Sequence, residues 1–136
     1  MSIDLAVLKQ QRNTARGHIT EIGLQITELG EGYAKGEMPI KMEIHGNPIG
    51  SVHGGIIFSI ADSVGGAAAL SRGGKVTTVS GNINYINPAL GCTKLIGEAI
   101  EVKSGRHMSV INVSISNQTG TVIAIATMTY YFIEAK

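Results

Sequence analysis

The sequence has little charge, and neither sign is concentrated in any part of it. Asp, Glu, Lys and Arg make up 15% of the 136 residues, whereas a typical soluble domain has about 25%. A small chain this poor in charge is expected to cover part of its surface with copies of itself, so the composition predicts a homo-oligomer. The basic residues are scattered and the formal net charge is +1. Because no basic run could follow a phosphate backbone, nucleic-acid binding is not expected.

Cysteine is nearly absent as well. The single Cys92 cannot form a disulfide within the chain, which is typical of a reducing cytoplasm. The N-terminal residues lack the basic start and long apolar run of a secretory signal, so no signal peptide is expected. The most apolar run, 54–70, contains Asp62 and four glycines, which makes it a poor membrane span. These absences predict one cytoplasmic domain over residues 1–136 with no membrane segment.

Apolar periodicity predicts an α+β fold. Residues 3–15 are expected to form a short amphipathic helix with Ser2 as its cap and Gly17 at its end, so that 1–17 is an N-terminal helical segment. Residues 41–53 are interpreted as a loop and 54–71 as the long helix. Alternating apolar residues between turn signals predict six strands. They are 19–29, 33–40, 75–87, 92–103, 106–117 and 121–133.

The long helix must cover one face of a six-stranded, mostly antiparallel sheet, because no other helix is long enough. The economical arrangement is a sheet that wraps around this central helix. The last strand, 121–133, is apolar on both faces, which indicates an interior position in the sheet.

The stretch HGGIIFSIADSVGGAAAL, residues 53–70, contains one charged residue, Asp62. At about 100° per residue, one side of this helix is apolar and should face the sheet. That side consists of Ile57, Ile60, Ala61, Val64 and Ala68. Asp62 falls on the opposite side, among small residues that suit close approach by a ligand or by another subunit. These neighbours are Gly55, Ser59, Gly66 and Ala69.

The start of the helix is the second notable feature. The N–H groups of a first helical turn lack helical partners, and Gly54 and Gly55 leave these donors accessible. At the positive end of the helix dipole they could stabilise a developing oxyanion. Asp62 lies eight residues after Gly54, about 12 Å along the helix axis. Since one carbonyl group cannot touch both, their cooperation would require Gly54 from one chain and Asp62 from a neighbour.

The pattern N-x-x-G-x-x-H-G-G, with an Asp nine residues after the His, resembles the motif of hotdog-fold thioesterases. The similarity is to the branch of the phenylacetate-degradation and 4-hydroxybenzoyl-CoA thioesterases. It continues through VTTVSGNINYINPALG, GRHMSV and TGTVIAIATMTYYF and covers about residues 20–133. The resemblance implies a hotdog fold and hydrolysis of an acyl-CoA to a free acid and coenzyme A. It also implies a dimer or a tetramer built as a dimer of dimers, with the active site at a subunit interface and no cofactor besides the coenzyme A of the substrate.

The resemblance implies roles for individual residues. Gly54 matches the glycine whose N–H polarises the thioester carbonyl, and Asp62 matches the acid that acts as nucleophile or as general base for water. Asn47 matches the amide that helps to place the carbonyl or the water, and His53 the histidine that supports this loop. Ser80 matches a serine that orients the attacking water in some members. The positions implied for binding of substrate and coenzyme A are Gly55, Gly81, Asn82, Arg106 and His107.

Gly66 stands where one 4-hydroxybenzoyl-CoA branch has an assisting threonine, which argues against that substrate. Three functions stay open: thioester hydrolysis, a hydratase or dehydratase on the same fold, and a non-catalytic acyl-CoA-binding module. The spacing of HGG and Asp62 favours hydrolysis. A thiolate leaves readily because thiols have a pKa near ~8.5, so the site must mainly polarise a carbonyl and supply a nucleophile.

Each candidate also has a structural interpretation from the residues alone. Asp62 could be a hydrogen-bonding group of the helix, His53 could brace the loop, and Ser80 could be an ordinary strand serine. The four histidines and Cys92 lack metal-ligand spacing, so no metal is expected.

Overall fold

The computed structural model describes residues 3–136. They form four helices, and the long one is the fourth. The helices are α1 (Leu5–Thr14), α2 (His18–Glu21), α3 (Met42–His45) and α4 (Gly54–Leu70). The strands are β1 (Gln25–Gly30), β2 (Tyr33–Pro39), β3 (Lys75–Tyr85), β4 (Lys94–Ser104), β5 (Met108–Asn117) and β6 (Val122–Glu134).

The strands form one antiparallel sheet in the order β1-β2-β4-β5-β6-β3. The helix α4 packs against one face of this sheet and contacts all six strands. This confirms the predicted α+β fold, in which a six-stranded sheet wraps around one central helix. The strand β6 lies between β5 and β3, as its two apolar faces predicted, and β3 is an edge strand.

The apolar side of α4 faces the sheet as predicted. The five residues expected on that side are each no more than 3% exposed. Glycines in the sheet allow the close approach of the helix. A Cβ on Gly97 would lie 2.9 Å from Ile60 Cγ2, and one on Gly36 would lie 2.9 Å from Val64 Cγ2. Only glycine therefore lets β2 and β4 pack this closely against α4.

The N-terminal third departs from the sequence prediction. Asp4 caps α1, because its carboxylate accepts hydrogen bonds from the N–H groups of Ala6 and Val7; the predicted cap Ser2 lies outside the described residues. The strand predicted over 19–29 was wrong in its first half, where His18–Glu21 forms a helical turn. Gly23 has φ +87°, a left-handed conformation that ends the turn before β1 begins. The other five strands agree with prediction to within two residues at each end.

The predicted loop 41–53 also contains a helical turn, α3. His45 stabilises it, because its Nδ1 accepts a hydrogen bond from the Lys41 N–H at 2.9 Å. The imidazole is 1% exposed, and its Nε2 donates to the Ile22 carbonyl oxygen at 2.7 Å. The His45 carbonyl oxygen in turn accepts from the His53 N–H at 2.7 Å. His45 thus anchors the start of α4 to the segment before β1.

Candidate functional site

The first turn of α4 has one N–H group without an acceptor. Gly55 N–H donates to His53 Nδ1 at 3.1 Å, and the N–H groups of Ile56 and Ile57 donate to the His53 carbonyl oxygen at 3.0 and 3.2 Å. Within residues 3–136, nothing accepts a hydrogen bond from the Gly54 N–H. Of the first-turn donors at the positive end of the helix, Gly54 is therefore the one that can receive an external oxygen.

His53 caps α4, and the supporting role that the resemblance implied for it stays a prediction. Its Nδ1 accepts the Gly55 hydrogen bond, so the neutral ring carries its proton on Nε2. The same contact occupies the Gly55 N–H, so a substrate-binding role for Gly55 stays a prediction and would have to use other atoms of that residue.

Asn47 holds the loop that precedes α4. Its Oδ1 accepts from the N–H groups of Ile49 and Ser51, both at 3.1 Å, and its Nδ2 donates to Ser51 Oγ at 2.8 Å. One amide hydrogen therefore remains for a water or a carbonyl. The implied role in placing these groups stays a prediction, and the structure gives the side chain a bracing role beside it.

Tyr85 is a residue at the helix start that the sequence reasoning missed. It ends the edge strand β3, and its Oη donates to the Gly54 carbonyl oxygen at 2.8 Å. A Cβ on Gly54 would lie 3.3 Å from Tyr85 Cζ and Oη, so the ring fits against the missing side chain. Partial burial raises the pKa of the Tyr85 hydroxyl, which keeps it protonated as a donor. Tyr85 lies directly opposite the buried Ala124, and this register points its ring towards α4; the sequence alone does not show which strands pair, so it gave no signal for Tyr85.

Asp62 lies half-buried in the middle of α4 and has two hydroxyl neighbours. Thr78 Oγ1 donates to its Oδ1 at 2.8 Å, and Tyr130 Oη lies 3.4 Å from the same oxygen. Tyr130 Oη also donates to the Asp62 carbonyl oxygen at 2.7 Å. Burial, and then the negative charge of Asp62, raise the pKa of Tyr130. The carboxylate oxygen Oδ2 has no partner among residues 3–136, so it can bind a water or approach a carbonyl carbon.

Asp62 opens into a cavity of about 280 Å³. Arg12 from α1, Thr78 from β3 and Tyr130 from β6 contribute to its wall. Arg12 Nη2 donates to the Ser63 carbonyl oxygen at 2.8 Å, so α1 covers part of the helix face that was expected to stay open. Gly66 lines the cavity too, and a Cβ there would lie 3.6 Å from Arg12 Nη2. Gly54 is not in this wall, in agreement with the separation of about 12 Å expected along one helix.

The remaining predicted positions do not reach Asp62 within one chain. Ser80 pairs in register with Thr129, and Asn82 with Thr127, on the sheet face that α4 leaves uncovered. The register shifts between Thr78 and Ser80, and this irregularity gives Thr78 the contact with Asp62. Gly81 faces α4, where a Cβ would come within 2.8 Å of Phe58 Cζ and Met128 Sδ. The roles implied for these three residues stay predictions.

Arg106 and His107 are exposed in the hairpin between β4 and β5. The His107 ring stacks on Tyr131 with centroids 6.5 Å apart, and neither residue lines the Asp62 cavity. Binding of coenzyme A phosphates by this pair stays a prediction.

Within residues 3–136 no three His, Cys, Asp or Glu side chains come together in a way that could hold a metal ion. In the same residues, every helix is too short or too polar to cross a membrane.

A six-stranded antiparallel sheet wrapped around one helix defines the hotdog class of fold. Residues 49–124 match the model of the thioesterase superfamily. This is more than half of the chain, so the chain belongs to the thioesterase superfamily, and it is a thioester hydrolase.

Individual relatives agree with this membership. A protein of Archaeoglobus fulgidus with the name "Putative esterase" is 38% identical over 107 residues, which are 79% of this chain and 69% of that protein. The human acyl-coenzyme A thioesterase 13 is 33% identical over 91 residues, 65% of this chain and 64% of its own. A crystal structure of a hypothetical thioesterase from Streptococcus pneumoniae with coenzyme A has a TM-score of 0.78 at 25% identity and covers 84% of this chain and 91% of that one.

Proposed function

We propose that the protein hydrolyses an acyl-CoA thioester to the free acid and coenzyme A. The observation that supports this most directly is the Gly54 N–H at the start of α4, which has no acceptor in residues 3–136. The same helix carries the Asp62 carboxylate, of which only Oδ1 accepts a hydrogen bond in these residues. A donor without an acceptor fits a carbonyl oxygen that gains negative charge, and a carboxylate supplies a nucleophile or a base. A relative named acyl-coenzyme A thioesterase and a similar structure that contains coenzyme A support coenzyme A as the thiol of the substrate.

The reaction needs only these two groups and water. The thioester oxygen accepts a hydrogen bond from the Gly54 N–H while a nucleophile adds to the carbonyl carbon, and the carbon–sulfur bond then breaks to release the thiolate. In one route Asp62 takes a proton from the attacking water, which becomes the new oxygen of the acid. In the other route Asp62 attacks directly and the resulting anhydride is hydrolysed. The two routes leave the same products, and Thr78 orients the carboxylate in both.

The active site is proposed to form between two chains. On the edge strand β3, Thr78 contacts Asp62 near one end and Tyr85 contacts Gly54 at the other. The outer edge of β3 is unpaired within residues 3–136, and an exposed edge can pair with another strand. If two copies pair antiparallel along β3, the Thr78 end of one strand lies beside the Tyr85 end of the other. Asp62 of one chain then meets Gly54 of the partner subunit.

A second interface is proposed on the sheet face away from α4. Large apolar side chains there are about half exposed; they include Ile100, Ile125 and Ile133 at 55%, 46% and 58%. Covering this face with a second dimer would bury them and give the tetramer implied by the family resemblance. Light scattering on the purified protein tests both interfaces, and a monomer at micromolar concentration would contradict them.

A cytoplasmic location stays a prediction from the single cysteine.

The proposed reaction is tested by following free thiol release from short, medium, long-chain and aromatic acyl-CoAs. Asp62→Asn is expected to lower turnover by at least about 100-fold, the loss typical of a missing acid–base group. Glu43→Gln makes the same chemical change at an exposed site in α3 and serves as the control. Unchanged turnover in Asp62→Asn would reject Asp62 as the catalytic group. Absence of thiol release with every substrate, together with water addition to an enoyl-CoA, would show a hydratase, and binding without either reaction would show a binding module.

A further inference from the structure

A second cavity of about 490 Å³ adjoins the one at Asp62. The two cavities share Arg12, Ile19 and Ser63 in their walls. The second lies between α1, α2 and the C-terminal end of α4. Its volume is in the range of ligand pockets, roughly 300–1,000 Å³. A thioester whose carbonyl lies at Asp62 could therefore extend its acyl group into this space, where its end can reach Arg12.

The wall of this cavity combines apolar and basic side chains. Ile3, Leu8, Ile19 and Leu70 provide an apolar surface for a hydrocarbon chain. The titratable residues of the wall are all basic, and within residues 3–136 no Asp or Glu belongs to it. They are Arg12, Arg16, His18 and Lys75, and Lys75 is paired with Glu134 at 3.3 Å. An apolar cavity with charge of one sign favours a ligand that is apolar along its length and anionic at one point.

Arg12 is the basic residue closest to the reaction. Its Nη2 donates to Ser63 O at 2.8 Å and to Ser63 Oγ at 3.1 Å, and both acceptors are neutral. Within residues 3–136 no carboxylate lies at salt-bridge distance from it, and its Nε and Nη1 have no acceptor. Burial lowers the pKa of Arg12, and the nearby Tyr130 and Asp62 oppose this only in part. A partly buried guanidinium with free donors is stabilised when a ligand supplies an anion.

We propose that the cavity binds the acyl group of the thioester and that Arg12 binds a carboxylate at the far end of this group. The preferred substrates are then acyl-CoAs of dicarboxylic acids, and Arg12 determines this specificity. The inference rests on the proposed function, because it takes the carbonyl position from Asp62.

The phosphates of coenzyme A are the other anions of such a substrate. They are separated from the thioester sulfur by the whole pantetheine arm, whereas Arg12 lines the same small cavity as Asp62. With the carbonyl at Asp62, a phosphate therefore cannot reach Arg12, but the end of a short acyl chain can. A planar guanidinium with several free N–H groups also suits a carboxylate, which it can bind through two parallel hydrogen bonds.

The test compares thioesters that differ only at the end of the chain. Glutaryl-CoA is paired with pentanoyl-CoA and adipoyl-CoA with hexanoyl-CoA, and kcat/KM is measured for each. The wild type is expected to favour the carboxylate of each pair by about 10- to 100-fold, the size of a hydrogen bond to a charged group. Arg12→Met should bring the ratio within each pair close to one, mainly through KM. Arg12→Lys should restore part of it, and Lys103→Met, an equal loss of charge at an exposed site on β4, should keep the wild-type ratio.

Two results would overturn the proposal. One is a wild type with no preference within the pairs. The other is an Arg12→Met variant in which both members of a pair lose activity equally, which would make Arg12 a support for Asp62 or for the fold. Equilibrium binding of the same pairs to Asp62→Asn, with and without Arg12→Met, gives the preference without any hydrolysis. A protein that hydrolyses none of the thioesters but binds the carboxylate members more tightly would contradict the proposed reaction and leave this subsite in place.

Discussion

Tyr85 donates a hydrogen bond from its hydroxyl to the Gly54 carbonyl oxygen at 2.8 Å, while the N–H of the same glycine has no acceptor in residues 3–136. The strand β3 thereby fixes the orientation of the residue that is proposed to bind the oxyanion. A fixed donor stabilises developing charge better than a mobile one, because no reorganisation is needed during the reaction. The edge of the sheet is therefore part of the proposed site.

Removing only this hydroxyl should slow the chemical step. In Tyr85→Phe the ring still fills the space beside Gly54, but the hydrogen bond is lost. A neutral hydrogen bond is worth about 0.5–1.5 kcal/mol, so we expect kcat to fall about two- to tenfold with little change in KM. Tyr131→Phe is the control, because that hydroxyl lies on the uncovered face of the sheet. A higher KM with an unaltered kcat in Tyr85→Phe would instead assign Tyr85 to substrate binding.

Gly54 offers a cleaner test of the oxyanion donor. It is the first residue of α4, a position where proline is favourable, and proline has no N–H. Gly54→Pro should therefore retain the helix and lower kcat by about 10²- to 10³-fold, the usual cost of one oxyanion donor. Gly54→Ala keeps the N–H while placing a Cβ 3.3 Å from the Tyr85 ring, so it reports the steric effect alone. Equal turnover by these two variants would exclude the N–H as the donor.

The hydroxyl partner of Asp62 can be identified by comparing two positions on β3. Thr78→Val removes the hydrogen bond to Asp62 Oδ1 at nearly constant volume. A hydrogen bond to a charged group contributes about 1.5–3 kcal/mol, so kcat should fall by about 10- to 100-fold. Ser80→Ala removes the hydroxyl suggested by the family resemblance and should have a smaller effect. The reverse order would show that Ser80 orients the water, which would then have to approach from the face where Ser80 lies.

The sequence was sufficient for the architecture because its signals are local. The apolar stripe of α4 and the alternation of the later strands depend on neighbours a few positions apart, and both were predicted correctly. The segment around His18–Glu21 failed because its apolar residues satisfy the strand pattern equally well. The left-handed Gly23 and the buried His45 decide its structure, and neither can be recognised from periodicity.

In the candidate site, too, the residues of a local motif could be predicted, whereas their partners from distant parts of the sequence could not. Gly54 and Asp62 belong to one continuous motif and could be selected from the sequence. Their partners come from other elements: Thr78 is 16 residues and Tyr130 is 68 residues from Asp62, and Arg12 reaches Ser63 from α1. Such contacts depend on strand register, including the shift after Thr78. A single sequence holds no direct record of which strands pair or where a register shifts.

The shared site leads to a prediction about mixtures of inactive variants. If each site combines Gly54 of one chain with Asp62 of its partner, a dimer of one Asp62→Asn chain and one Gly54→Pro chain contains one intact site and one site with both defects. Random exchange of subunits makes half of the dimers mixed, so the mixture should recover about a quarter of wild-type turnover. Thiol release is measured after the two proteins are unfolded and refolded together, and each protein refolded alone is the control. If both residues served a site within one chain, every mixed dimer would stay inactive, and a mixture that recovers nothing would therefore reject the shared site.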